Sequence, residues 1–121
     1  MKRVLVIDDS PTIRQQVRSA LTSEGYEVLE AVDGLDGLDR LRTVSDIRVA
    51  LCDVNMPRMT GIEFVAAARD EGFNLPIVML TTEGQPSLIR RARELGAKGW
   101  IVKPFKVQQL VAAMNRITAA A

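Results

Sequence analysis

Short, unbroken apolar runs alternate along this chain with longer stretches in which apolar residues return every three or four positions. The runs are Val4-Leu5-Val6-Ile7, Val49-Ala50-Leu51-Cys52, Ile77-Val78-Met79-Leu80 and Trp100-Ile101-Val102. Runs with no polar break suit strands buried on both faces. Ile13, Val17, Ala20 and Leu21, by contrast, share one face of a helix. Strand-length runs separated by helical stretches predict βα units and a parallel sheet.

Local signals mark the elements. A first strand is expected near residues 3–7. Ser10 can cap a helix whose first position is Pro11, and Gly25 closes it. Residues 26–31 read as a second strand. Glu27 and Glu30 place that strand at a sheet edge. Asp33-Gly34 turns into a helix bearing Leu35, Leu38 and Leu41. A third strand ends at Asp53. Thr60 and Glu63 have the spacing of a capping box, opening a helix to about Asp70. A fourth strand ends at Thr81. Pro86-Ser87 begins a helix ending at Gly96, a fifth strand spans roughly 99–102, and a last helix runs from about Lys106 to Thr118. The expected fold is α/β: a doubly wound, five-stranded parallel sheet, (βα) five times over, with helices on both faces. No linker, repeat or low-complexity segment interrupts it, so residues 1–121 are expected to form one domain.

Composition narrows the function. With 16 basic and 15 acidic residues the net charge is +1, which makes no electrostatic case for a nucleic-acid or membrane partner. No run approaches the ~18 apolar residues of a membrane span. The apolar stretch after Met1-Lys2-Arg3 stops at Asp8, short of the ~7–15 residues of a signal-peptide core. A cytoplasmic protein is expected. The one cysteine, Cys52, reads as a buried strand thiol, and the chain has no histidine to activate it. The lack of histidine also excludes His-ligated metals and Ser-His-Asp or Cys-His catalysis.

The chemistry gathers at the ends of the apolar runs. Asp8 and Asp9 follow the first, Asp53 the second, Thr81 the third and Lys103 the fourth. Open parallel sheets bind ligands outside the carboxyl ends of their strands. Three carboxylates, a hydroxyl and an ammonium would meet there. Adjacent carboxylates repel unless a cation sits among them, and Mg²⁺ takes oxygen ligands from one or two carboxylates plus a phosphate. Asp53 can attack phosphorus, since carboxylates form acyl phosphates. Lys103 offers a point charge to phosphate oxygens. Each residue also has a plainer reading, as helix cap, strand end or surface lysine. The Lys103-Pro104 bond is left open: an X-Pro bond isomerises at little cost and cis prolines suit tight turns, while a trans turn has the higher base rate.

Asp8-Asp9, Asp53, Thr81 and Lys103-Pro104, in this order on successive strand ends, resemble the receiver domain of two-component response regulators over the whole chain. The pattern is most similar to stand-alone receivers of chemotaxis. The resemblance implies strand order 2-1-3-4-5, with no output domain in the chain. It implies that Asp53 accepts a phosphoryl group from a histidine kinase or phosphotransfer protein. Asp9 and Asp53 would bind Mg²⁺, or Mn²⁺ in its place, through carboxylates, Asn55 through its backbone carbonyl, and Asp8 through a bound water. Lys103 would contact the phosphoryl group, and Thr81 would be pulled toward it. Asn55 and Glu83 lie where family members tune attack by water. Trp100 stands where Tyr or Phe is usual; that aromatic swings inward when the threonine moves, and the larger indole would fit less easily.

The output face implied is the fourth helix, fifth strand and fifth helix. Arg90, Arg91, Arg93, Lys98, Trp100 and Lys106 would meet an acidic or amphipathic partner there, such as a flagellar motor switch component or another effector. A plain solvated face with an Arg90–Glu94 pair is the competing reading. A monomeric phosphoacceptor, assisting its own phosphotransfer and dephosphorylation without being an enzyme in the usual sense, is expected. The alternatives are a phosphorelay intermediate or phosphate sink, and an aspartate-nucleophile phosphohydrolase. The last usually has nucleophile and acid two apart on one strand, unlike Asp8-Asp9 and the distant Asp53. A nucleotide or flavin binder would need a Gly-rich phosphate loop after strand one, which the chain lacks.

Overall fold

A computed structural model describes residues 2–82 and 86–120. Five strands and five helices alternate: β1 (Arg3–Ile7), α1 (Pro11–Thr22), β2 (Glu27–Ala31), α2 (Gly34–Thr43), β3 (Ile47–Asp53), α3 (Gly61–Asp70), β4 (Ile77–Thr81), α4 (Pro86–Glu94), β5 (Gly99–Val102) and α5 (Val107–Ala120). All pairings are parallel and the sheet order is β2-β1-β3-β4-β5. This is the expected fold class and strand order.

Strand alternation divides the interior in two. Val4, Val6, Val49, Leu51, Val78 and Leu80 face α1 and α5, meeting Val17, Leu21, Leu110 and Met114. Leu5, Ile7, Ala50, Cys52, Ile77 and Met79 face the other way, meeting Leu38, Phe64, Val65 and Ala92 of α2, α3 and α4. The three strands β1, β3 and β4 are therefore covered on both faces, which explains their unbroken apolar runs.

The local signals act as read. The Ser10 hydroxyl accepts from the Ile13 amide, with Pro11 in the first turn. Asp33 caps α2 by accepting from the Asp36 amide. Thr60 and Glu63 form the reciprocal capping box of α3. Gly25 and Gly96 both have positive φ, but they lie beyond their helices, which end at Thr22 and Glu94.

Several expectations need correction. Of the three α2 leucines, Leu38 and Leu41 are buried but Leu35 is 43% exposed, because α2 begins at Gly34 and leaves Leu35 in the first turn. The apolar β5 run is not doubly buried: β5 is an edge strand and Val102 is 48% exposed. The last helix starts at Val107, leaving Lys106 in the loop before it. Among the described residues, Arg90 and Glu94 form no ion pair. The Lys103-Pro104 bond is cis. Glu83 lies outside the described residues. No helix among the described residues is long and apolar enough to cross a membrane.

Candidate functional site

The carboxyl ends of β1, β3, β4 and β5 place Asp8, Asp9, Asp53, Thr81 and Lys103 on one edge of the sheet. Backbone hydrogen bonds hold that edge in register. The Asp8 amide donates to the Ala31 carbonyl, the Val54 amide to Leu80 and the Lys103 amide to Thr81, at 3.1, 3.1 and 2.7 Å. A carboxylate oxygen from each of Asp8, Asp9 and Asp53 lies within 4.8 Å of the others.

Asp8 has no solvent exposure, whereas Asp9 is exposed. The Ser10 amide donates to one Asp8 oxygen at 2.9 Å, and Lys103 Nζ donates to the other at 2.6 Å. Lys103 Nζ also stands 3.4 Å from Asp53 Oδ1. One ammonium thus serves two buried acids. It does not balance them: burial, then the Asp8 charge, raises the Asp53 carboxyl above its ordinary value, against the lowering pull of Lys103 and a hydrogen bond from the Asn55 backbone amide. Burial first, and then the same acids, push the Cys52 thiol well up, so it is an inert core residue as expected.

Three hard oxygen donors in reach of one point, with more negative charge than Lys103 offsets, suit a small divalent cation such as Mg²⁺. The donor set lacks nitrogen and sulfur, which disfavours zinc or copper.

Thr81 is buried at the end of β4. Trp100 pairs with Met79 across the β4–β5 ladder, so Thr81, two residues on, projects to the same face. The indole is half-buried against the α2–α4 side of the core, and its Nε1 is buried with no hydrogen-bond partner among the described residues. Arg90, Arg91, Arg93, Lys98 and Lys106 are all exposed. Beside Lys103, an open groove of about 890 Å³ runs between α1 and α5, floored by Ile13, Phe105, Val107 and Val111.

Two supports of the edge were not foreseen. Arg14 of α1 donates to the Asp8 backbone carbonyl at 2.6 Å while pairing with Glu30 of β2, which Arg18 also holds. Arg58, in the loop after β3, pairs with the buried Asp33. Both join residues far apart in sequence, and neither leaves a periodic or motif signal.

A doubly wound parallel sheet whose carboxyl edge gathers three acids from the ends of β1 and β3 and a lysine from the end of β5 defines a phosphate- and cation-handling site of the α/β class. The family model of the response regulator receiver domain matches residues 4–115, and the chain belongs to that family. It is 40% identical over 111 residues to the chemotaxis protein CheY1 of Helicobacter pylori, covering 89% of this chain and 90% of that one. Among solved structures, it is similar to the Vibrio cholerae chemotaxis protein CheY4, with TM-score 0.90, 42% identity, and coverage of 97% of this chain and 98% of that chain. A CheY-like receiver domain protein from Methanospirillum hungatei superposes with TM-score 0.93 at 26% identity, covering 99% and 95%.

Proposed function

We propose that the protein is a chemotaxis response regulator, switched by Mg²⁺-dependent phosphorylation of Asp53. The observation that carries this reading is the Asp53 carboxylate, raised in pKa at the end of β3, 3.4 Å from Lys103 Nζ and inside the three-acid cluster. The chemotaxis setting is supported by the names of the Helicobacter and Vibrio relatives.

In this reading an Asp53 oxygen attacks the phosphorus of a phosphohistidine on a kinase or phosphotransfer protein. The new O–P bond replaces the P–N bond, whose electron pair stays on the imidazole. Phosphoryl transfer needs positioning and charge neutralisation more than a general base. Lys103, already shared between Asp8 and Asp53, turns to the incoming phosphoryl oxygens. Asp9 and Asp53, with the Asn55 carbonyl, would hold Mg²⁺ beside Asp8, and the cation would supply positive charge against the phosphoryl oxygens. Thr81 donates its hydroxyl to the phosphoryl group. Its movement frees space behind it for Trp100 and reshapes α4, β5 and α5. The exposed Arg90, Arg91, Arg93, Lys98 and Lys106 then meet an acidic or amphipathic effector segment, such as one from a flagellar motor switch protein. By the family resemblance, phosphate lifetime would depend on Asn55 and Glu83, the positions at which receiver domains tune attack by water.

The test is intact-mass analysis after acetyl phosphate and Mg²⁺. One phosphoryl group on the wild type, none with EDTA, and none on Asp53→Asn are expected. Retained labelling of that variant moves the nucleophile elsewhere. Millimolar Mg²⁺ should also raise the wild-type melting temperature by mass action. Effector capture that strengthens with beryllofluoride supports the switch; capture of phosphodonor proteins alone, unchanged by it, makes the chain a relay or sink.

A further inference from the structure

Arg58 has φ of 66°. Left-handed backbone is routine for glycine and tolerable for asparagine and aspartate, but not favoured for arginine. Such conformations persist where the surroundings over-determine them, and they concentrate at functional sites. The side chain of Arg58 supplies the reason for its presence. Its Nε and Nη2 reach Oδ2 of Asp33 at 2.7 and 2.5 Å. Asp33 is only 3% exposed, and its other oxygen accepts from the Asp36 amide as the α2 cap. Burial pushes the Asp33 carboxyl up, but the Asp36 amide, Arg58 and the Leu35 amide together hold it below its ordinary value.

The two partners come from loops that flank the end of β1. Asp33 follows β2 and Arg58 follows β3, and β1 lies between those strands in the sheet. The pair therefore ties together the two loops on either side of Asp8 and Asp9. A second contact reinforces it: a Cβ on Gly34 would lie 2.7 Å from Cγ of Met59, so Met59 is seated where only glycine leaves room. At its start the β3–α3 loop holds Asp53 itself, through the Asn55 amide. At its end, Gly61 donates to the Val54 carbonyl at 2.9 Å.

We infer that Arg58 is a positioning residue: paired with Asp33, it holds the β3–α3 loop in the conformation that orients the Asp53 carboxylate and the Asn55 backbone for a divalent cation. The inference rests on the cation reading above and adds to it a residue that touches neither metal nor phosphate. Arg58 controls how well the ligands are pre-organised, not which atoms bind.

The test uses Arg58→Gly, which keeps the left-handed backbone easy and removes only the pair. Arg58→Lys keeps the charge without the forked geometry, and Asp33→Asn keeps an α2 cap without the charge. Mg²⁺ affinity is measured by titration calorimetry well below each melting temperature. Amide hydrogen exchange at Asn55 is measured without metal. At least a fivefold weaker Mg²⁺ affinity and tenfold faster Asn55 exchange are expected for Arg58→Gly and Asp33→Asn, with partial recovery in Arg58→Lys. Wild-type affinity and wild-type Asn55 exchange in Arg58→Gly overturn the inference and leave the cation reading intact. If the wild type itself binds no Mg²⁺, the cation reading fails, and exchange at Asn55 alone decides whether Arg58 positions Asp53.

Discussion

Replacing Trp100 by phenylalanine should leave the protein as stable as before, or more so, although it shrinks a core-packed aromatic. The reason is the indole N–H, which is buried without a partner. An unsatisfied buried donor costs about 1–3 kcal/mol. Phenylalanine removes that donor while filling much of the same space. Against this gain stands lost apolar burial. Trp100 is half-buried, so roughly 20–30 Å² is forfeited, about 0.5–0.8 kcal/mol at ~25 cal/mol/Å². A residual cavity of roughly 30 Å³ adds at most about 0.7 kcal/mol. The balance runs from a loss of about 0.5 to a gain of about 2.5 kcal/mol. For a chain of 121 residues, each kcal/mol moves the melting temperature by roughly 3–5 °C.

Trp100 is the only tryptophan, so urea unfolding must be followed by far-UV circular dichroism in wild type and variant alike, without metal. A loss beyond about 1 kcal/mol in Trp100→Phe would falsify the orphan-donor argument, because then the indole is packed to advantage in the resting state. The same tryptophan reports on switching. A donor with no partner has little holding it in place, so its emission should shift when beryllofluoride and Mg²⁺ are added.

Three further outcomes follow from the geometry. Asp53 has a raised pKa in the fold, so the native state binds its proton more tightly than the unfolded chain does. Metal-free stability is therefore lost as pH rises from the unfolded value of 3.8 through the raised folded value. Melting scans in EDTA should show Asp53→Asn gaining on the wild type across that window and holding its lead above it; a lead that shrinks with rising pH contradicts the sign. Arg69 donates from Nη1 to the Phe73 and Leu75 carbonyls at 2.7 and 3.0 Å, and from Nη2 to Gly96 at 3.1 Å. Arg69→Ala should cost about 2–4 kcal/mol in urea unfolding, since charged donors contribute more than neutral ones, with Mg²⁺ affinity unchanged. Gly61→Ala puts a Cβ 2.1 Å from the Asp53 carbonyl oxygen. Overpacking against backbone should cost about 3 kcal/mol or more and, unlike Arg69→Ala, should also weaken Mg²⁺ binding.

Much of this could be read from the chain, and the misses have physical causes. Ser10-Pro11 and Thr60 with Glu63 are contacts between residues three or fewer apart, so the pattern names both partners. The apolar runs reveal strands but not their neighbours. The order β2-β1-β3-β4-β5 followed from family resemblance, not from periodicity. For the same reason the run ending in Val102 could not be told from a central strand. The candidate site residues were legible because each ends a strand or sits one or two steps past it. Arg14 on Asp8, Arg58 on Asp33 and Arg69 on three carbonyls were not. In each case an ordinary-looking arginine meets a loop or strand whose position depends on the finished fold.

Most departures from local comfort gather at the carboxyl edge, although Asp46, just before β3, also holds a positive φ of 60°. At the far pole of the sheet the polar groups are matched: Tyr26 donates to Asn115 at 2.7 Å and lies 3.2 Å from the Thr118 hydroxyl, and Arg69 fills three carbonyls. On the carboxyl side, Asp53 is a carboxylate that burial and Asp8 would rather neutralise. Arg58 holds an unfavourable backbone, and Gly61 permits an approach no side chain would. Trp100, on the strand that leads to Lys103, buries a donor with no acceptor. A sequence consistent at every level would remove these costs, and natural chains break local rules chiefly where function needs it. Their common logic is incompleteness. The acid cluster lacks positive charge, and the indole lacks an acceptor. A cation and a phosphoryl group would complete the first, and a rearranged β5 and α4 would complete the second. Under the proposed function, stability given up in the resting protein would be available as free energy that favours the phosphorylated one.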